Sequence, residues 1–410
     1  MTRRRLFALL VSLIALLGGA VIVPAAASTA APTTSGYVPL AGANLLDTTH
    51  GVGAPLAPMA PRETLTMHVA GSDGVPATGV SAVKLTLIAV HVGCPSSYGW
   101  LTVYPTGTPR PSTANMDFLG CDNASGSAIV ALGANGGVDI YNGSWKPEDV
   151  VVNIQGYYRS GSPVAGSFVP LPGRNLLNMA KDDSAAAPGS TTNVQIAGRA
   201  GVPADAAAVA VTVFGDGGFG WLTVYPPGTA RPHAATVDLE TFFPSALALI
   251  PLGTNGEISI YNGSKRAVQL VVNVTGYVVG GTPQTPGSFV PVPAANLLNA
   301  NDVFARGGTT VQVTGRAGVP ATGVSAVTVM LAAVHPRYSG WATAYADGTP
   351  RPRAASLEFD WLARAPYWEM PWAVSNVVTV PVGANGKIAI TNGSGAQSGF
   401  VVNVLGYYLA

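Results

Sequence analysis

The residues best suited to chemistry are aromatic and arginine-bearing, and they recur. Gly99-Trp100-Leu101-Thr102-Val103-Tyr104-Pro105 returns as Gly220-Trp221-Leu222-Thr223-Val224-Tyr225-Pro226, and again as Gly340-Trp341-Ala342-Thr343-Ala344-Tyr345-Ala346. In an extended strand the Trp, Thr and Tyr of each copy point one way and the intervening residues the other. The third copy has lost Leu and Val to Ala342 and Ala344 but keeps Trp341, Thr343 and Tyr345. The retained face is thus the aromatic one. It suits first an inner packing layer or a brace between domains, and second a platform that stacks a sugar or peptide. A Gly-x-x-Arg-Pro turn follows each strand and carries Arg110, Arg231 or Arg351, with an acid seven residues later at Asp117, Asp238 or Glu358. Such a pair can clamp the turn to the strand, or free the arginine to take a ligand carboxylate.

The third copy also departs from the other two. From the strand Trp to the last Asn-Gly asparagine is 42 residues in copy one, 41 in copy two and 51 in copy three. The extra length holds Trp361, Arg364, Tyr367, Trp368 and Trp372, so three of the chain's seven tryptophans fall in one stretch. A loop of that composition resembles a binding hot spot, and it is the first place to expect a ligand. It could also fold back as a cap.

Catalytic patterns are missing from the sequence. His50, His68, His91, His233 and His335 do not recur at matched positions and show no metal-ligand spacing. No nucleophile elbow, Walker loop or dinucleotide loop occurs. These features predict a non-enzyme with no cofactor and no metal.

The elements that must position these residues are strands. Trp100, Trp221 and Trp341 lie 121 and 120 residues apart, close to the usual size of a domain and far longer than a solenoid unit. Each unit opens on an aromatic-Val-Pro phrase at Tyr37, Phe168 or Phe289 and soon reaches Asn-Leu-Leu at Asn44, Asn175 or Asn296. Each turns at Gly-Val-Pro and ends on Val-Val-Asn-[Ile/Val]-x-Gly-Tyr at Tyr157, Tyr277 or Tyr407. Two Asn-Gly pairs per unit, at Asn135 and Asn142, Asn255 and Asn262, Asn385 and Asn392, read as hairpin turns. Seven or eight short strands per unit and no helix predict an all-β chain of three tandem β-sandwich-like domains. The domains would be residues 37–158, 168–277 and 289–410, with Gly/Pro-rich linkers at 159–167 and 278–288. A single pseudo-threefold assembly is the second choice.

Residues 1–27 read as a secretory signal peptide: Arg3, Arg4 and Arg5, an apolar run, then Ala25-Ala26-Ala27. Residues 28–36 form an extended leader, and no transmembrane segment is expected after cleavage. The remaining chain carries 18 basic and 20 acidic residues, so no basic surface is available for nucleic acid. Cys94 and Cys121 form an even pair in an exported chain and predict one disulfide, worth roughly 3 kcal/mol by loop closure.

Taken together, the Gly-Val-Pro corner, the Leu-Thr-Val-Tyr-Pro-x-Gly-x-x-Arg-Pro segment and the Val-Val-Asn-Val-x-Gly-Tyr ending resemble a β-domain repeat of secreted actinobacterial proteins. The resemblance covers the chain three times over. It implies an extracellular or cell-surface β-domain without an activity of its own, often appended to hydrolases or wall-associated proteins. The family has Leu-Asp-Thr-Arg near the start, where this chain has Leu46-Asp47-Thr48-Thr49. The expected function is a secreted binding or adhesion module for cell-wall glycan, polysaccharide or a protein partner. The alternative is a structural or assembly protein whose aromatic faces pack domains or subunits.

Overall fold

The computed structural model describes residues 34–90, 98–119, 123–217, 220–232, 235–239, 244–359 and 373–410. Among the described residues the chain is all-β, with eight strands in each repeat. Repeat 1 contributes β1 (Thr34–Asp47), β2 (Thr64–His68), β3 (Val80–Val90), β4 (Tyr98–Pro105), β5 (Met116–Leu119), β6 (Ala124–Ala131), β7 (Gly137–Asn142) and β8 (Asp149–Ser160). Repeat 2 contributes β9 (Phe168–Asn178), β10 (Thr191–Gln195), β11 (Ala208–Asp216), β12 (Trp221–Tyr225), β13 (Val237–Asp238), β14 (Ser245–Pro251), β15 (Glu257–Asn262) and β16 (Gln269–Val278). Repeat 3 contributes β17 (Phe289–Val303), β18 (Gly308–Gln312), β19 (Val324–Val334), β20 (Gly340–Ala346), β21 (Leu357–Phe359), β22 (Ala373–Pro381), β23 (Lys387–Asn392) and β24 (Ser398–Leu409).

These strands form six four-stranded antiparallel sheets, the blade count of a six-bladed β-propeller. Within a sheet the chain does not run as a propeller meander. Repeat 1 has the orders β1-β8-β3-β6 and β2-β7-β4-β5, and both other repeats copy them. The two sheets of a repeat enclose one apolar core: in repeat 1, Val83, Leu85 and Leu87 of β3 meet Leu101 and Val103 of β4 and Ile140 of β7. Repeats 2 and 3 have equivalent cores.

A fourth core joins all three repeats. Its residues come from one sheet of each pair: Ala82, Ile129 and Tyr158 from repeat 1, Ala208, Leu249 and Phe168 from repeat 2, and Ala326, Phe289 and Tyr408 from repeat 3. Three inner sheets therefore face a common centre, and three outer sheets lie outside them. The ring closes head to tail. The Asp117 backbone N–H of repeat 1 donates to Ser245 Oγ of repeat 2 at 3.2 Å, and that of Glu358 in repeat 3 donates to Ser125 Oγ of repeat 1 at 3.2 Å. Between them, β13 of repeat 2 lies against β22 of repeat 3. A heterologous contact that returns on itself makes a closed ring.

Separate tandem domains on free linkers are therefore not what the chain builds: Pro32–Ala410 is one unit. The expected linkers are hydrogen-bonded across repeats, Phe289 N–H to Gly166 C=O at 2.9 Å and Tyr37 N–H to Gly287 C=O at 2.8 Å. The aromatic of each opening phrase explains this. Tyr37 lies 4.4 Å from the Tyr408 ring and 4.9 Å from Tyr158, and Tyr158 lies 5.0 Å from Phe168. These rings share the central core. Burying them there outweighs the freedom of a flexible connection.

The closing Gly-Tyr phrase has the same cause. A Cβ on Gly276 would stand 2.2 Å from the Phe168 ring, and one on Gly406 would stand 2.2 Å from Phe289. The ring of each opening phrase rests on the glycine of each closing one. Gly276→Ala is expected to lower stability by about 2–3 kcal/mol through overpacking, read as a fall in thermal midpoint.

Candidate functional site

The aromatic strands β4, β12 and β20 belong to the outer sheets, and their aromatic side is the outward one. Leu101, Val103, Leu222, Val224 and Ala342 point into the repeat cores. The inner-layer expectation for Trp100, Trp221 and Trp341 is thus corrected: alternation is strict, and the core takes the aliphatic side. The retained middle Thr is buried by the segment that returns from the Arg-Pro turn. Thr102 Oγ1 donates to Thr113 C=O at 3.1 Å, and Thr343 Oγ1 to Ala354 C=O at 3.0 Å. Tyr104 is buried, and Tyr225 and Tyr345 are half-buried. Trp100 and Trp341 are half-buried as well, and Trp221 is 43% exposed.

Each Trp lies flat on the glycine of the second Asn-Gly pair. A Cβ on Gly143 would come within 2.1 Å of the Trp100 indole, on Gly263 within 2.3 Å of Trp221, and on Gly393 within 2.1 Å of Trp341. The asparagine before that glycine is wholly buried. Asn142 Nδ2 donates to the carbonyls of Met59, Ala60 and Lys146 at 3.1–3.2 Å, and its Oδ1 accepts the Ser144 N–H at 2.9 Å. Asn262 and Asn392 repeat the pattern. The Asn-Gly pairs are therefore not hairpin turns. Each joins strands of different sheets, β6 to β7 and β7 to β8 in repeat 1, and the second pair is a buried knot on which the Trp is laid.

The turn arginines lie on the same outward face. Arg110 Cζ stands 3.7 Å over the Tyr141 ring, Arg231 Cζ 3.6 Å over Tyr261, and Arg351 Cζ 4.8 Å over Trp341. The paired acids occupy the register positions opposite the tryptophans: Asp117 opposite Trp100, Asp238 opposite Trp221, Glu358 opposite Trp341. Cation–π contact on the surface is worth roughly 0.5–1 kcal/mol, enough to orient a guanidinium without immobilising it.

Repeat 1 adds residues that the sequence did not single out. Arg62 Cζ lies 4.8 Å over Trp100 and 4.0 Å over Trp145, and its Nη1 donates to Tyr141 Oη at 3.4 Å. Trp145 is 73% exposed. Arg62 has φ +64, and the equivalent positions are Gly189 at φ +70 and Arg306 at φ +58. A glycine alternating with arginine at one matched position was the available signal.

The Leu46-Asp47-Thr48-Thr49 phrase forms a local turn. Burial would raise the Asp47 carboxyl, but hydrogen bonds from Thr49, His50 and Asn44 outweigh it and hold it below its ordinary value. Among the described residues no group of three or more His, Cys, Asp or Glu could hold a metal. Cys94, Cys121 and the candidate ligand residues Trp361, Arg364, Tyr367, Trp368 and Trp372 lie outside the described residues.

No protein-family model and no curated protein matches the sequence. Among solved structures, the chain is similar to one from the atomic structure of Sulfolobus turreted icosahedral virus, at 11% identity and a TM-score of 0.20, over 86% of this chain and 85% of that one. A second, from work on the triple jelly roll fold and turret assembly of an archaeal virus, aligns at 11% identity and a TM-score of 0.18, over 92% and 91%. At those TM-scores neither likeness carries a functional conclusion.

Proposed function

We propose that this chain is a secreted, non-catalytic scaffold that presents three aromatic–arginine faces to cell-wall glycan or another polysaccharide. The observation that carries this is the outward aim of Trp100, Trp221 and Trp341, each seated on a buried Asn-Gly knot and accompanied by an arginine on an aromatic ring. An indole with a fixed lower face stacks a pyranose at little entropic cost. Three such faces on one closed ring gain avidity on a polymer that displays repeated units.

A pull-down on purified peptidoglycan and insoluble polysaccharides tests it. The wild type is expected in the pellet, and the combined Trp100→Ala, Trp221→Ala, Trp341→Ala variant in the supernatant, a loss of at least about tenfold. The exposed Leu56, Trp145 and Phe304 favour a second reading, in which these faces pack copies of the chain. That reading predicts a large assembly on size exclusion and no pelleting with any glycan.

A further inference from the structure

We infer that the outer face of repeat 2 holds an acidic-saccharide subsite on Trp221, and that repeat 1 carries the same subsite closed by its own Arg62. The inference rests on the function proposed above. In all three repeats the indole floor is the glycine of the buried knot. The upper face differs. Arg62 lies over Trp100 and Arg351 over Trp341, but the residue matched to Arg62 in repeat 2 is Gly189, and Trp221 is the most exposed of the three indoles.

The backbone records this choice. The matched position is left-handed in every repeat, which suits glycine and costs a side-chain-bearing residue on the order of 1 kcal/mol. Repeat 2 has the unstrained residue, and among the described residues its turn arginine lies over Tyr261 and not over the indole. Repeat 1 keeps a strained arginine, and its guanidinium covers the ring.

Charge selects the ligand. Arg231 is exposed on this face, and Lys265 is exposed on the segment whose Gly263 lies beneath the indole. A further cation on Trp221 would meet that basic rim. A pyranose carrying a carboxylate would place its C–H face on the indole and its charge among the basic groups.

Affinity electrophoresis of the full chain in gels containing sodium polygalacturonate, with neutral dextran as the parallel gel, tests this. Retardation is expected in polygalacturonate alone. Trp221→Ala should weaken it about tenfold, and Trp100→Ala, whose ring Arg62 covers, by less than about twofold. Lys265→Glu, an exposed substitution that leaves the core untouched, should weaken it as well. Arg62→Gly should open the repeat 1 face and strengthen retardation. Unchanged binding by Trp221→Ala, or equal retardation in dextran, overturns the inference. So does a wild type that ignores polygalacturonate while still pelleting with peptidoglycan, an outcome that leaves the proposed function standing. Failure in both assays overturns both.

Discussion

Lys84→Met is expected to stabilise the protein by on the order of 3–5 kcal/mol at pH 7 and to remove a rise in stability between pH 7 and 10. Lys84 sits on the inward side of β3, is completely buried, and donates from Nζ to Thr379 Oγ1 of repeat 3. Burial pulls its ammonium down to about 7. Above that value the folded chain holds Lys84 neutral, while the unfolded chain keeps the proton until about pH 10.5. The unfolded state therefore binds more protons across this window, and stability climbs with pH through it. Below pH 7 both states are protonated and the folded state bears the full cost of a buried ammonium.

Tyr37, Tyr158 and Tyr408 oppose this at the alkaline end. Burial pushes Tyr408 up to about 12 and the other two well above their ordinary value. Above pH 10 the unfolded tyrosines release protons that the folded ones keep, so stability falls again. Urea unfolding from pH 6 to 11 should show a maximum near pH 10 in the wild type. In Lys84→Met the curve should be flat to pH 9 and keep the alkaline fall. A wild-type curve that is flat from pH 7 to 10 would falsify the assignment.

Asn142→Ala is expected to cost about 3–4 kcal/mol, with similar losses at Asn262 and Asn392. The side chain ties Met59 and Ala60 ahead of β2 to Lys146 ahead of β8 while holding the Ser144 N–H. Its removal strands several buried backbone groups, a penalty larger than one ordinary hydrogen bond. Denaturant midpoints check this, and the loss should appear without any change in the outward tryptophans' ligand class. The same burial bears on the Asn142-Gly143-Ser144 sequon: a wholly buried amide is not available to an added glycan.

Much of the local structure was legible. Alternation separated Leu101 and Val103 from Trp100 and Tyr104, and the repeat spacing located all three aromatic strands. Which side was inward was not legible, because aliphatic and aromatic faces are both apolar and only the partner sheet chooses between them. Arg62 was missed because its guanidinium meets Trp100 and Trp145, 38 and 83 positions away in the sequence. Lys84 had a signal: it is the one charged residue in the apolar run Val80–Val90. Its position on the central face, against a strand 295 residues distant, had none.

By itself the sequence determined the strands, their threefold repetition and the residues retained in each copy, since these follow from side-chain alternation and turn chemistry within a few residues. Only the tertiary structure decided how strands pair and how repeats meet. The Asn-Gly turns bend the chain sharply, yet they pass it between sheets, and β7 delivers Val138 and Ile140 to the repeat core from between β2 and β4. The Gly/Pro-rich segments look like linkers, yet they lie within a closed ring, because Tyr37, Phe168 and Phe289 are buried together at its centre. Local propensity acts over a few bonds. The hydrophobic effect rewards the total area removed from water, and that sum exists only once all three repeats are assembled.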